Sequence, residues 1–161
     1  MDLIDVMLVD DDILAIEDLE DMIHWEDNGF NLVAHTTNPL IGIELFKKHQ
    51  PQIVIVDIYM PIMDGVKFSK TILSLNSHVK IILLSSYRDF DYAKKAISIG
   101  LSNYLIKNEI NETTLLAELS KLKNELIAEN KSMRLLRRQR LQDTLNDNRH
   151  LEDDLEIIES E

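Results

Sequence analysis

No cysteine occurs among the 161 residues, which excludes disulfides and thiolate metal sites and fits a reducing compartment. No apolar run is long enough to span a bilayer. The first residues also lack the form of a signal peptide, because Asp2, Asp5 and Asp10 break up the opening apolar stretch. A cytoplasmic location is therefore expected. Positive charge is scarce: 17 basic residues stand against 29 acidic ones, for a formal charge of -12. A chain so charged is repelled by nucleic-acid phosphates and anionic lipid, so direct contact with DNA or a membrane is not expected. The five histidines are scattered and show no metal-binding spacing. What remains is 45% hydrophobic and 29% charged, the composition of a soluble folded protein, at a length that suits one domain with an appendage.

Three apolar stretches, Val6 to Val9, Ile53 to Val56 and Ile81 to Leu84, are continuous rather than alternating, and each is followed by Asp or Ser. Strands covered on both faces read this way. Phe30 to Ala34 and Tyr104 to Ile106 are two further strand candidates. Helical spacing appears between them, at Ile16, Leu19 and Ile23, at Ile41, Leu45 and Phe46, at Phe68, Ile72 and Leu75, and at Ala93, Ala96 and Ile97. Asn38 followed by Pro39 suits a helix start, Asp12 suits an N-cap, and Gly29 and Gly100 suit helix ends. Alternation at this spacing predicts βαβ units, hence an α/β fold with a parallel sheet between helices. Trp25 and Phe30 read as packing residues.

Ligands of such sheets bind beyond the carboxyl ends of the strands. Asp10, Asp11, Asp57, Ser85 and Lys107 stand at those ends, on four different strands. Three carboxylates gathered in one place repel each other unless a cation joins them. Mg²⁺ prefers oxygen ligands and commonly holds a phosphate through one or two carboxylates, so Asp10, Asp11 and Asp57 read as a magnesium pocket, which Mn²⁺ could also fill. Lys107 and the Ser85 hydroxyl suit phosphate oxygens. One of the carboxylates can then act as a nucleophile and form an acyl phosphate.

Val9-Asp10-Asp11, the string Asp57-Ile-Tyr-Met-Pro-Ile-Met-Asp-Gly65, Ser85 after four apolar residues and Lys107 after Tyr-Leu-Ile together resemble the CheY-like receiver domain of response regulators. The resemblance covers about residues 3 to 128 and implies a flavodoxin-like five-stranded sheet, with residues 1–128 as the receiver. It further implies Asp57 as phosphoacceptor, Asp10 and Asp11 as the acidic pair for Mg²⁺, and the Tyr59 backbone carbonyl as a further metal ligand. Ser85 and Lys107 match the catalytic hydroxyl and lysine, and Ser85 and Tyr104 match the switch pair. A sensor histidine kinase is the implied phosphoryl donor. No turnover enzyme is implied, only acceptance of the group and its slow loss. The strings Met22 to Phe30 and Ser86 to Ala93 resemble receivers of AraC-type, YesN-like regulators. This chain carries no such DNA-binding module, so it reads as a fragment that reaches DNA only through an absent output domain.

From Asn111 onward, Leu115, Leu119, Leu122 and Leu126 follow a four, three, four spacing without Gly or Pro. An ordered helix is expected to about Asn130, with 129–161 as a helical linker, partly disordered or forming a coiled coil in a homodimer. Arg134, Arg137, Arg138 and Arg140 read as an exposed helical face that could pair with the acids from Glu152 to Glu161.

Two departures from the receiver pattern stand out. Asn108 replaces the usual proline after the lysine, so the turn is either trans or a costly non-proline cis bond. Tyr59 and Tyr87 are bulky where the family controls water's approach, from which slow self-dephosphorylation is expected. Two rival functions are a pseudo-receiver that serves only as a dimerisation scaffold, and a haloacid-dehalogenase-type phosphatase built on Asp10-Asp11-Asp12. The second lacks that family's further acidic pair and cap.

Overall fold

The computed structural model describes residues 2–86, 91, 94, 97, 98 and 103–159. Tyr87, Ala93, Ala96 and Gly100, and with them most of the fourth helical pattern, lie outside the described residues.

Five strands form one parallel sheet: β1 (Ile4–Val9), β2 (Phe30–Thr36), β3 (Ile53–Asp57), β4 (Lys80–Ser85) and β5 (Asn103–Ile106). Their order is β2-β1-β3-β4-β5, the flavodoxin-like arrangement. The continuous apolar runs occupy the three central strands, where β3 is buried at every position, whereas the edge strands β2 and β5 are only partly covered. Fully burying one such side chain contributes about 1.5–3 kcal/mol, which is why the strands with the least polar sequence take the middle of the sheet.

Helices α1 (Ile13–Met22), α2 (Pro39–His49) and α3 (Gly65–Leu75) connect the first four strands. The first two start on the caps expected from the sequence, and α3 starts on Asp64. The Asp12 side chain accepts from the Leu14 amide, Asn38 from Leu40 with Pro39 in the first turn, and Asp64 from Lys67. Gly29, at φ 90°, closes the short 3₁₀ turn Glu26–Asn28, and Trp25 and Phe30 on either side are buried. Phe46 of α2 and Phe68 and Ile72 of α3 pack with Met7, Val9, Val54 and Val56 into a core on one side of the sheet. The helical spacing placed Ile41 and Leu75 on that side, yet both are exposed; each sits at the margin of its helix's apolar arc.

The chain divides into two units, Met1–Ser120 and Lys121–Glu161. The last helix, α4 (Glu112–Glu159), opens with a reciprocal cap in which Asn111 and Thr114 exchange side-chain and backbone bonds of 2.9 Å. Leu115 and Leu119 are wholly buried. The helix does not end near Asn130 as the fading leucine register suggests. It continues to Glu159, because loss of a seam removes a partner face but introduces no Gly or Pro, and residues 131–159 are rich in Leu and Arg, both good helix formers.

Candidate phosphoacceptor site

The sheet order reverses direction between β1 and β3, and the site lies beyond the carboxyl ends of these strands. Register explains the convergence. Val9 of β1 pairs with Val56 of β3, so Asp10 and Asp57 follow side by side; Asp57 pairs with Leu84, and Ser85 with Ile106, which brings Ser85 and Lys107 to the same edge. Asp10, Asp11 and Asp57 each offer a carboxylate oxygen within 4.8 Å of the others'. Lys107 Nζ lies 2.8 Å from Asp10 Oδ2 and 3.7 Å from Asp57 Oδ2.

Local bonds hold these groups in place. The Asp12 amide donates to Asp10 Oδ1 at 2.9 Å, and the Asp10 amide donates to the Thr36 carbonyl at 3.2 Å. The Lys107 amide donates to the Ser85 carbonyl at 2.7 Å. Among the described residues every peptide bond is trans, including Lys107–Asn108, so the replacement of proline is accommodated without a cis bond. Ser85 is buried, and its hydroxyl donates to the Ser86 carbonyl at 2.8 Å. Tyr104 is half-buried and packs against the core cluster. The Tyr59 side chain is 74% exposed.

Asp10 and Asp57 are buried while Asp11 is open to solvent. Burial, reinforced by the charge of Asp10 and only partly offset by Lys107, pushes the Asp57 carboxyl up to about 7. Burial likewise raises Asp10 against the opposing bond from Lys107. For Lys107, burial alone would lower the ammonium, but the bond to Asp10 and the charge of Asp57 outweigh it and the net shift is upward. Among the described residues, three carboxylates therefore share one cation. That surplus of negative charge on clustered oxygens suits a hard divalent ion, and a magnesium ion would be held by Asp10, Asp11 and Asp57.

The sequence pattern of the response regulator receiver domain matches residues 6–120. The chain belongs to that family. The receiver is 33% identical over 121 residues to the transcriptional regulatory protein YesN of Bacillus subtilis, covering 75% of this chain and 33% of YesN. It is 37% identical over 102 residues to the transcriptional regulatory protein HptR of Staphylococcus aureus, covering 63% of this chain and 40% of HptR. The chain thus spans well under half the length of these relatives. Among solved structures it is similar to the receiver domain of AraT, a response regulator from Geobacillus stearothermophilus, with a TM-score of 0.74 and 27% identity over 80% of this chain and 98% of that one. These relatives place it with the CheY-like receivers of YesN-like regulators. Family membership leaves the phosphatase reading without support. Among the described residues, no helix is long and apolar enough to cross a membrane.

Two features of the loop after Asp57 escape a reading by residue type. A Cβ on Gly65 would stand 2.3 Å from the Asp57 carbonyl oxygen, so only glycine lets α3 start this close to the acceptor strand. Ile62 has φ 74°, a left-handed conformation that is costly for a β-branched residue, with its side chain 73% exposed. Relief of the Cβ clash is worth about 1–2 kcal/mol and the added freedom of the unfolded glycine subtracts about 0.5–1. Ile62→Gly is therefore expected to stabilise the receiver by roughly 1 kcal/mol, read as a raised urea midpoint with unchanged slope.

Proposed function

We propose that Asp57 accepts a phosphoryl group from a sensor histidine kinase and that this receiver is the switch of a two-component transcriptional regulator. The observation that carries the reading is the placement of a buried carboxylate beside two further carboxylates and the Lys107 ammonium. An Asp57 oxygen attacks phosphorus, the phosphorus–nitrogen bond of the donor phosphohistidine breaks, and its electron pair stays on the imidazole. Magnesium, when bound by Asp10, Asp11, Asp57 and the Tyr59 backbone carbonyl, supplies neutralising charge for the transferred group. Lys107 lies close enough to both Asp10 and Asp57 to move its ammonium onto a phosphoryl oxygen. Ser85 would exchange its bond to the Ser86 carbonyl for one to the phosphoryl group, and Tyr104 would follow inward. The surface around β5 is thereby biased between two arrangements.

The test is incubation with acetyl phosphate and Mg²⁺ followed by intact-mass measurement. One added phosphoryl group is expected on the native chain and none on Asp57→Asn. An unmodified native chain, or a label that persists in the variant, overturns the reading.

The exposed Tyr59, together with Tyr87, supports slow hydrolysis of the acyl phosphate. Exchanging both for small residues is expected to shorten the phosphorylated lifetime several-fold, followed by loss of the mass adduct. The exposed apolar side chains of α4 support a homodimer, as does the linker position of the segment. DNA would be engaged only through an output module such as those of transcriptional relatives.

A further inference from the structure

From Asn130 to Asp153 every side chain of α4 is exposed, and so is Leu155. Leu141, Leu145, Leu151 and Leu155 share one face of this stretch, with Asn148 between them; at 100° per residue they lie within an arc of about 120°. Beyond the exposed Met133, Leu135 and Leu136 nearer the start of the stretch, these four leucines form a stripe that water penalises, and an isolated helix gains little from leaving it bare.

Charge decides what covers the stripe. Arg134, Arg137, Arg138 and Arg140 crowd one end of it, while Glu152 and Asp153 stand at the other. A second copy laid parallel would set arginines against arginines and acids against acids. Reversed, each end meets its opposite. The leucines fix the register: with Leu141 opposite Leu155 and Leu145 opposite Leu151 of the second copy, Asn148 falls on the two-fold axis. In that register Arg149 stands opposite Asp147, on the flanks of the leucine stripe.

We propose that two copies of this chain associate through an antiparallel pairing of their C-terminal helices, centred on Asn148. The pairing rests on the homodimer reading above and adds its direction and register. An isologous contact of this kind closes on itself and does not propagate into fibres.

The absence of native cysteine makes the direction measurable. In the double variant Thr144→Cys/Glu152→Cys all four leucines remain. The two cysteines of one chain are eight residues apart on a helix, about 12 Å, too far for a disulfide within the chain. The parent should sediment as a dimer, and oxidation of the variant should link position 144 of one copy to position 152 of the other. Links of 144 to 144 and 152 to 152 in a dimer overturn the antiparallel direction alone, whereas a parent that sediments as a monomer overturns the homodimer as well. Reversing two charges, Arg137→Glu with Arg140→Glu, should weaken the dimer about tenfold or more; an unchanged dissociation constant overturns the role assigned to charge.

Discussion

Gly65→Ala is expected to destabilise the receiver by about 3 kcal/mol and to suppress labelling of Asp57 by acetyl phosphate, the upper end of what overpacking costs. The new methyl group would lie 2.3 Å from the Asp57 carbonyl oxygen, 2.8 Å from the Ile58 Cα and 2.9 Å from the Asp57 carbonyl carbon. All three are backbone atoms, so no rotamer change relieves the contact. Asp57 is the last residue of a strand held on both sides by β1 and β4, and the Gly65 amide is tied to the Ile58 carbonyl at 2.7 Å. Either α3 backs away, taking Val66, Phe68 and Ile72 partly out of the core, or the phosphoacceptor moves. Gly42 supplies the control. A methyl group there meets the ring of Phe68 at 3.0 Å, a side-chain contact that a small rotation relieves, and Gly42→Ala should cost under about 1 kcal/mol because the helix gains propensity. Chemical denaturation and the labelling rate read both effects. A Gly65→Ala protein with the parent's midpoint and labelling rate would show that α3 does not approach Asp57 so closely.

That close approach was not legible in the sequence, and the reason is physical. Asp10, Asp57, Ser85 and Lys107 can be assigned to strand ends because a strand's length is written in its apolar run and its end in the first polar residue. The alternation of strands and helices then fixes a parallel sheet, and a parallel sheet puts all four on one edge. Gly65 carries no such signal. It is legible only as the last residue of the string that begins at Asp57, and only the three-dimensional path of the loop brings it against the carbonyl of Asp57. Ile62 is still less legible, since a left-handed backbone is ordinarily announced by Gly or Asn, not by a β-branched residue. The loop holds it there because the Met63 amide reaches the Pro61 carbonyl at 2.8 Å and Asp64 must cap α3.

The C-terminal helical extension was legible, but not how far its order runs, for a different reason. Leucine spacing reports the face that a helix buries, not the helix itself. Where the four, three, four spacing falters near Arg140, only the evidence of a seam is lost, and the residues beyond it keep the propensity to stay helical. The Lys107–Asn108 peptide was undecidable because the residue type permits the trans form without enforcing it. The Ser85 hydroxyl could be placed at the site, but its bond to the Ser86 carbonyl depends on a rotamer.

The metal-free receiver is expected to lose stability as pH rises from about 4 to about 7, the reverse of the usual behaviour of a paired carboxylate. The Asp57 carboxyl stands at about 7 in the folded chain against an ordinary 3.8. Between those values the folded state keeps a proton that the unfolded state has released, so raising the pH favours unfolding. The contribution is complete below the lower value and gone above the higher. Asp10, also raised by burial, acts in the same direction. Asp57→Asn removes the charge that burial penalises and should stabilise the metal-free protein at pH 8 by on the order of 2 kcal/mol. At pH 5 the gain should nearly vanish, because the native carboxyl is already protonated. Magnesium should reverse the ranking, stabilising the native chain by about 2.7 kcal/mol at a hundred times its dissociation constant and the variant by much less. Urea titrations of both proteins at pH 5 and pH 8, with and without the ion, separate these terms. A native chain whose metal-free stability is flat or rising across that range relative to Asp57→Asn would mean that the acceptor is already ionised without a cation. The case for a site built around surplus negative charge, on which magnesium and the phosphoryl group both depend, would then fail at its first step.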